Sequence, residues 1–169
     1  RLILGGYMRT LNTEVKVASS WQNYTSARNV RFNEMEYHLP RDNWKAALSE
    51  VIDTIETQFP EVFFPIEVRF VKADDAWLSH FYQRDSVSIA VHRFFEEDHT
   101  PLFEAVEPIL KRYGGRPHWG KLNTLTEADF EALYPKWQAF SEVREALDPN
   151  GRFLNPYLAR LFNQPTSTG

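Results

Sequence analysis

Ile66-Glu67-Val68-Arg69-Phe70 is the segment that most directly predicts the fold of this chain, because apolar and charged side chains alternate through it. Alternation with a period of two residues is typical of a β-strand that has one apolar and one polar face. We therefore predict that residues 62–73 form the best strand of the chain. Glu67 and Arg69 would then project from the same face, as a carboxylate and a guanidinium two residues apart.

Outward from this segment, the chain alternates further strands with helices. Residues 32–39 and 86–94 also read as strands, and apolar residues at helical spacing predict a helix over residues 47–59. Thr100-Pro101 opens another predicted helix, which ends at Tyr113-Gly114-Gly115, where glycine favours a left-handed helix end. The last third is predicted to be mostly helical. The pattern as a whole is that of an α+β protein.

Composition limits the classes of protein to consider. The chain has 169 residues, of which 43% are hydrophobic and 15% aromatic, and its net charge is −4. These values predict a folded core and argue against a general nucleic-acid or anionic-membrane binder. The absence of cysteine excludes disulfides, zinc-thiolate sites and a cysteine nucleophile. No apolar run is long enough to predict a transmembrane helix.

We predict a single domain over residues 1–169. Residues 1–30 read as an arm of strands and turns, and residues 163–169 as a flexible tail. The chain starts at Arg1 and lacks an initiator methionine, so it is expected to be a fragment or a processed product.

The loop Gly114-Gly115-Arg116-Pro117-His118-Trp119-Gly120-Lys121 concentrates cations, aromatic rings and glycines. Such a loop can bring its backbone close to a ligand and direct charged donors at it. Lys121 could stabilise negative charge that develops on a ligand ring. An equally weighted alternative is that Trp119 anchors the loop in the core while Lys121 is solvated.

The alternative in which Glu67 and Arg69 have no functional role is an ion pair on the solvent face of a strand. A glycosidase would need two carboxylates around one bond, and only Glu67 has a convincing setting. His92 shares a predicted strand face with Ser88 and Ala90, and a lone strand histidine is more often structural than functional. The histidines are scattered without metal-ligand spacing, so no metal site is predicted. Neither a P-loop nor a Rossmann glycine fingerprint occurs.

Several motifs, in order from about Asn33 to Phe162, resemble the C-terminal part of the aldonolactone oxidoreductases. This family includes the L-gulono-gamma-lactone oxidases and the D-arabinono-lactone oxidases. The loop at residues 114–121 resembles the family signature GGRPHW-[GA]-K. The other matching segments are residues 65–70, 74–79, 82–86, 134–135 and 144–158.

The resemblance implies the cap domain of a vanillyl-alcohol-oxidase-type flavoprotein, an antiparallel sheet covered by helices on one side. The cofactor would be FAD, bound mainly by an N-terminal domain that this chain lacks. The expected reaction is oxidation of a sugar lactone at its C2 hydroxyl, with hydride transfer to flavin N5 and with oxygen or another acceptor reoxidising the flavin. A polyol oxidase of the alditol type and a non-enzymatic binding module remain alternatives.

The same resemblance assigns roles to residues. Glu67, Arg69 and Lys121 would be catalytic and, together with His92, would bind the substrate. Arg69, His118, Trp119 and Lys121 would also face the flavin. His92 stands where related sugar-alcohol oxidases carry Thr, and Ala90 where they carry His, which favours a lactone over an open-chain alditol.

The resemblance also carries expectations about the intact protein. It would be cytoplasmic or membrane-associated, and its cap domain would pack against the FAD-binding domain. The isolated cap is expected to be inactive, to bind FAD poorly and to self-associate through the face that the missing domain would cover.

Overall fold

The computed structural model describes residues 17–25 and 29–163. Its first element is helix α1 (Ser20–Tyr24), where the Gln22 side chain accepts a hydrogen bond from the Ser19 backbone nitrogen at 3.3 Å. A reciprocal contact of this kind starts a helix locally. The prediction of strands and turns for the N-terminal arm is therefore wrong for α1, and most of that arm lies outside the described residues.

Four antiparallel strands form one sheet, in the order β2-β3-β1-β4. They are β1 (Phe32–Pro40), β2 (Glu67–Val71), β3 (Ser86–Phe94) and the short β4 (Arg116–Pro117). The strands predicted at residues 32–39 and 86–94 are confirmed. Strand β2 is shorter than the predicted 62–73, because Pro65 lacks a backbone donor and the rings of Phe63 and Phe64 stack at 4.6 Å before the strand begins.

Helices α2 (Trp44–Gln58) and α3 (Thr100–Arg112) cover one face of this sheet. The predicted α+β fold, with an antiparallel sheet covered by helices on one side, is confirmed. The core forms there because strand alternation puts every second, apolar side chain on that face. Buried side chains of this core include Met35, Tyr37, Leu39, Val87, Ile89 and Val91 from the sheet, and Val51, Ile55, Leu102, Val106 and Leu110 from the helices.

The remaining helices are α4 (Glu127–Leu133), α5 (Trp137–Leu147) and α6 (Pro156–Leu161). Helix α4 begins at a capping box, in which the Thr126 nitrogen donates to Asp129 Oδ2 at 2.8 Å. Helix α3 ends at Arg112 and is followed by Tyr113 and Gly114, and the Gly114 φ of +76° confirms the predicted left-handed conformation after the helix. None of the helices within residues 17–25 and 29–163 has the length and apolar character needed to cross a bilayer.

Candidate active site on the polar face of the sheet

The face of the sheet opposite α2 and α3 is lined by polar and charged side chains, and we call it the polar face. It results from the same alternation that builds the core, since the residues between the apolar positions point the other way. The polar face consists of Glu34, Glu36 and His38 from β1, Glu67 and Arg69 from β2, Ser88, Ala90 and His92 from β3, and Arg116 from β4.

Arg69 connects two carboxylates of the polar face. Its Nε lies 3.1 Å from Glu67 Oε1, and its Nη2 pairs with Glu36 Oε1. Glu36 is 1% exposed, whereas the side chains of Glu67 and Arg69 are about half exposed (49% and 52%). Partial burial acts to lower the pKa of Arg69, but the neighbouring carboxylates outweigh it, so that the net pKa is raised. Arg69 is thus a permanent cation at an open site.

Lys121 reaches the polar face from the loop that follows β4. The backbone nitrogens of His118 and Leu122 donate to the carbonyl oxygens of Glu36 and Glu34, at 2.9 and 3.1 Å, so the loop runs beside β1. Because the loop runs beside β1, Lys121 Nζ forms an ion pair with Glu34 Oε2. The Lys121 side chain is 27% exposed. The tertiary structure therefore places a second cation, besides Arg69, at the carboxylates of Glu34 and Glu67.

His92 joins this network at Glu34. Its Nε2 lies 3.4 Å from Glu34 Oε1, and its Nδ1 lies 3.2 Å from the carbonyl oxygen of Pro65. The ring is nearly buried, with the Phe32 ring edge-on at 5.0 Å. His92 is therefore linked to the site through Glu34, and its substrate contact stays a prediction.

Glu34, Glu67 and His92 each offer one ligand atom, and these atoms lie within 4.8 Å of one another. This spacing could suit a divalent cation. However, Lys121 and Arg69 already pair with the two carboxylates, and their positive charges oppose another cation at the same place. The expectation of no metal site stays a prediction.

The signature loop is anchored by Trp119. Its indole Nε1 donates to the Leu78 carbonyl oxygen at 3.0 Å, and its ring lies 4.7 Å from Phe130 and parallel to Trp137 at 6.3 Å. The anchoring alternative is therefore what the structure shows for the indole, while Lys121 is paired rather than simply solvated. A flavin contact of Trp119 is untested and stays a prediction.

His118 lies in a cluster of three imidazoles with His38 and His80. The His80 ring is 4.2 Å from that of His38 and 5.1 Å from that of His118. Burial, followed by repulsion from neighbouring histidines, lowers the pKa of His38 to about 2, and burial and His118 lower the pKa of His80 to about 4. His38 and His80 are thus neutral near pH 7. A flavin contact of His118 stays a prediction.

Two arginines hold this cluster in place through backbone carbonyls. Arg84 donates to the carbonyl oxygens of His38 at 2.6 Å and Gly114 at 2.9 Å. Arg116 donates to Leu133 at 3.0 Å and to Tyr82 at 3.0 Å. Burial, followed by repulsion from Arg116, lowers the pKa of Arg84 to about 10. These two arginines thus stabilise, through backbone hydrogen bonds, the segments that surround the imidazole cluster.

Reasoning from the sequence missed several of these residues. The signal for Glu34, Glu36 and His38 was present, because they alternate with apolar residues in a segment already predicted as a strand. His80 and Arg84 come from an irregular segment, whose position depends on contacts with residues distant in sequence. No periodic pattern marks them.

Comparison with known proteins shows which family the chain resembles. The profile of the D-arabinono-1,4-lactone oxidase family matches residues 4–161. Over 138 residues the chain is 46% identical to an L-gulono-1,4-lactone dehydrogenase of Mycobacterium tuberculosis, a match that covers 82% of this chain and 32% of that protein. It is 42% identical to the L-gulonolactone oxidase of Mus musculus (75% and 30% covered) and 35% identical to an alditol oxidase of a Streptomyces species (77% and 31%).

The chain thus spans about a third of the length of the curated relatives it matches. The match covers the strands that carry the polar face as well as the signature loop with Lys121. With its motifs, its fold and these relatives in agreement, the chain belongs to the D-arabinono-1,4-lactone oxidase family of aldonolactone oxidoreductases.

Proposed function

We propose that this chain is the substrate-binding cap domain of an FAD-dependent oxidoreductase that oxidises an aldono-lactone at its C2 hydroxyl. The observation that carries the proposal is the charged network of Glu67, Arg69, Glu34 and Lys121 on the open part of the polar face. It combines carboxylate acceptors for sugar hydroxyls with cations for a carbonyl or anionic oxygen. The names of the relatives agree with a lactone substrate.

The residues present fit a flavin at this face. Arg69 Nη1 has no hydrogen-bond partner among the described residues, and half of its side chain is exposed. Lys121 supplies a second cation at the same network. Two cations at an open face suit a ring that gains negative charge as it is reduced. When bound, FAD would supply the acceptor for the hydride that leaves C2.

The residues of this chain would then act on the substrate. The Glu67 carboxylate accepts hydrogen bonds from lactone hydroxyls and fixes the orientation of the ring. Arg69 would donate through its unused edge to the substrate oxygen that becomes the ketone, and Lys121 would add positive charge as the hydroxyl proton passes to solvent water. The product is a 2-keto lactone, which isomerises to an ascorbate-type enediol.

The proposal extends to the partners of the chain. The FAD pyrophosphate site would lie in an N-terminal domain outside these residues, and the cap would pack on that domain. Oxygen or another acceptor would reoxidise the flavin. Purified residues 1–169 are accordingly expected to show no flavin absorbance after incubation with FAD and gel filtration, and no turnover. A stoichiometric flavin spectrum from this chain alone would contradict the proposal that FAD is bound mainly by the N-terminal domain.

Turnover of two substrate classes tests the reaction itself. The complete enzyme with FAD is expected to oxidise L-gulono-1,4-lactone or D-arabinono-1,4-lactone with a kcat/KM well above that for xylitol. The second candidate, an alditol oxidase, has its support in the 35% identical alditol oxidase. A preference for xylitol would establish that alternative, and absence of flavin from the complete protein would favour a binding module.

A further inference from the structure

We propose that Glu36 is the positioning residue of Arg69: a buried carboxylate that draws the guanidinium across the sheet and fixes which of its edges faces the ligand. This inference rests on the proposed function, since Arg69 is a catalytic residue only if the site is the one proposed. Glu36 itself is nearly inaccessible, at 1% exposure, and would act through Arg69.

The geometry requires Arg69 to cross a strand. Strand β3 lies between β2, which carries Arg69, and β1, which carries Glu36. Neighbouring strands are about 4.8 Å apart, so the two backbones are separated by roughly 10 Å. On β3, Ser88 pairs with Arg69 and Ala90 pairs with Glu36, so the arginine side chain runs diagonally past these two small residues. The Ala90 methyl group and the short Ser88 side chain leave a gap over β3 through which the long arginine side chain reaches Glu36.

The two partners of this ion pair differ in burial, since Glu36 is buried and Arg69 is half exposed. The Glu36 carboxylate is removed from water, and its Oε2 has no hydrogen-bond partner in the described part of the chain. Its nearest other basic group is His38, whose Nδ1 is 4.0 Å away, but burial keeps that imidazole neutral near pH 7. Among the residues that the structure describes, it is therefore Arg69 whose positive charge compensates the negative charge of Glu36. A buried carboxylate without such a partner is strongly destabilising.

The pair determines the orientation of the guanidinium plane. Nη2 is held by the buried Glu36 on β1, and Nε by the half-exposed Glu67 on β2. Because the guanidinium is planar and rigid, these two contacts also fix the direction of Nη1. Nη1 is the donor left for a ligand. Glu67 is half exposed and can exchange Arg69 for water or for substrate hydroxyls, whereas Glu36 cannot.

The test is a double-mutant cycle in the complete FAD-containing enzyme, with Glu36→Gln, Arg69→Ala and the double variant. Glu36→Gln keeps the size of the side chain and removes its charge. We expect it to lower kcat/KM by about 10- to 100-fold, the cost of a misplaced catalytic group, and to have no further effect in the Arg69→Ala background. Free guanidinium should restore part of the activity of Arg69→Ala, and less of it when Glu36→Gln is also present.

Thermal unfolding provides a readout that does not depend on turnover. Arg69→Ala leaves the Glu36 carboxylate buried and unpaired, so it should lower Tm, and adding Glu36→Gln should recover a large part of that loss. Glu67→Gln is the matched control, because this second partner of Arg69 is solvated. Added to Arg69→Ala, it should recover nothing.

The outcomes separate the inference from the proposed function. If Arg69→Ala abolishes turnover but Glu36→Gln does not change it, or if the two effects multiply, the positioning role of Glu36 is overturned and the proposed function stands. If Arg69→Ala leaves turnover intact, the catalytic role of Arg69 is overturned, and this inference with it.

Ala90→Leu is a second variant, which fills the gap and removes no charge. It should lower kcat/KM as Glu36→Gln does, and unchanged turnover would overturn the crossing of β3.

Discussion

The Tyr37 hydroxyl donates to Glu107 Oε1 at 2.5 Å, which joins the apolar face of the sheet to the inner side of helix α3. The Thr124 backbone nitrogen donates to the same oxygen at 2.8 Å, and the Thr124 hydroxyl donates to Glu107 Oε2. Glu107 is 4% exposed. One buried carboxylate on α3 thus holds the segment that follows Lys121. Burial, then the bond to Glu107, raises the pKa of Tyr37 far above its usual value.

Removal of this carboxylate should destabilise the chain. Glu107→Ala leaves a hydroxyl of Tyr37 and two donors of Thr124 without their acceptor in a buried place, so we expect the free energy of unfolding to fall by about 3 kcal/mol. Urea unfolding followed by fluorescence measures this. Glu104→Ala, on the exposed side of the same helix, is the matched control and should change the value by less than about 0.5 kcal/mol. Equal effects of the two variants would contradict the role given to Glu107.

The imidazole cluster predicts a loss of stability in acid. The pKa of His80 is lowered to about 4 and that of His38 to about 2, whereas both lie near 6.5 in the unfolded chain. Below pH 6.5 the unfolded chain therefore binds protons that the folded chain does not, so the contribution is full above pH 6.5 and is lost as pH falls through about 4. His80→Gln should flatten the pH dependence of Tm between pH 6.5 and 4.

His99→Gln is the control for this titration, because the His99 ring packs on Phe103 at 5.1 Å, outside the cluster. The expected difference in the acid slope of the two variants corresponds to on the order of 1–2 kcal/mol over that pH interval, after allowance for the partial exposure of His80. If both variants retained the acid slope of the parent chain, the cluster would not be its source.

Two glycines of the signature loop should respond very differently to a methyl group. A Cβ on Gly115 would lie 2.7 Å from the Leu110 carbonyl oxygen and 2.9 Å from the Tyr37 ring, which is closer than real contacts allow. Gly115→Ala should therefore lower the free energy of unfolding by about 2–3 kcal/mol, as overpacking does. A Cβ on Gly120 would lie at an ordinary 3.5 Å from His118, and Gly120→Ala should be tolerated. Similar Tm values for the two variants would refute this close approach.

Lys121 should matter for turnover in the complete FAD-containing enzyme. Lys121→Met keeps the aliphatic length and removes the charge that pairs with Glu34, so kcat/KM is expected to fall by on the order of 100-fold. Lys111→Met is the matched control, since Lys111 lies on α3 and pairs with Asp129 at 3.6 Å away from the polar face. Steady-state kinetics with a lactone substrate measure both. A kcat/KM for Lys121→Met within about twofold of the parent value would remove Lys121 from the proposed mechanism.

Self-association of the isolated chain remains a prediction, and the structure suggests where it would occur. An apolar cavity of about 570 Å³ lies beside α5 and α6 and is lined in part by Trp119, Leu147 and Phe153. Leu147 is 80% exposed and Phe153 is 85% exposed. Such a patch favours burial against another molecule. Leu147→Ser with Phe153→Ser should shift light scattering of the chain towards the monomer mass. Val30→Ser, at a separate exposed position, should not. A concentration-independent monomer of the parent chain would end this prediction.

Much of the local structure was predictable. Residues 86–94 formed the predicted strand, and Glu67 and Arg69 do share a face, because the face of each residue follows from its own extended backbone. The length of β2 was overestimated, since periodicity alone does not register the missing donor of Pro65. The carboxylates of β1 were open to the same reasoning as Glu67 and were overlooked.

By itself, the sequence determined which segments extend, which coil into helices, and which side chains of each strand are polar, because those properties depend on near neighbours along the chain. Its ordered motifs also determined the family. Only the tertiary structure decided that β3 separates β2 from β1, so that Arg69 crosses β3 to a carboxylate 33 residues away, and that a loop beside β1 brings Lys121 to Glu34. Those relations depend on strand order and on packing between distant segments, which no local period encodes.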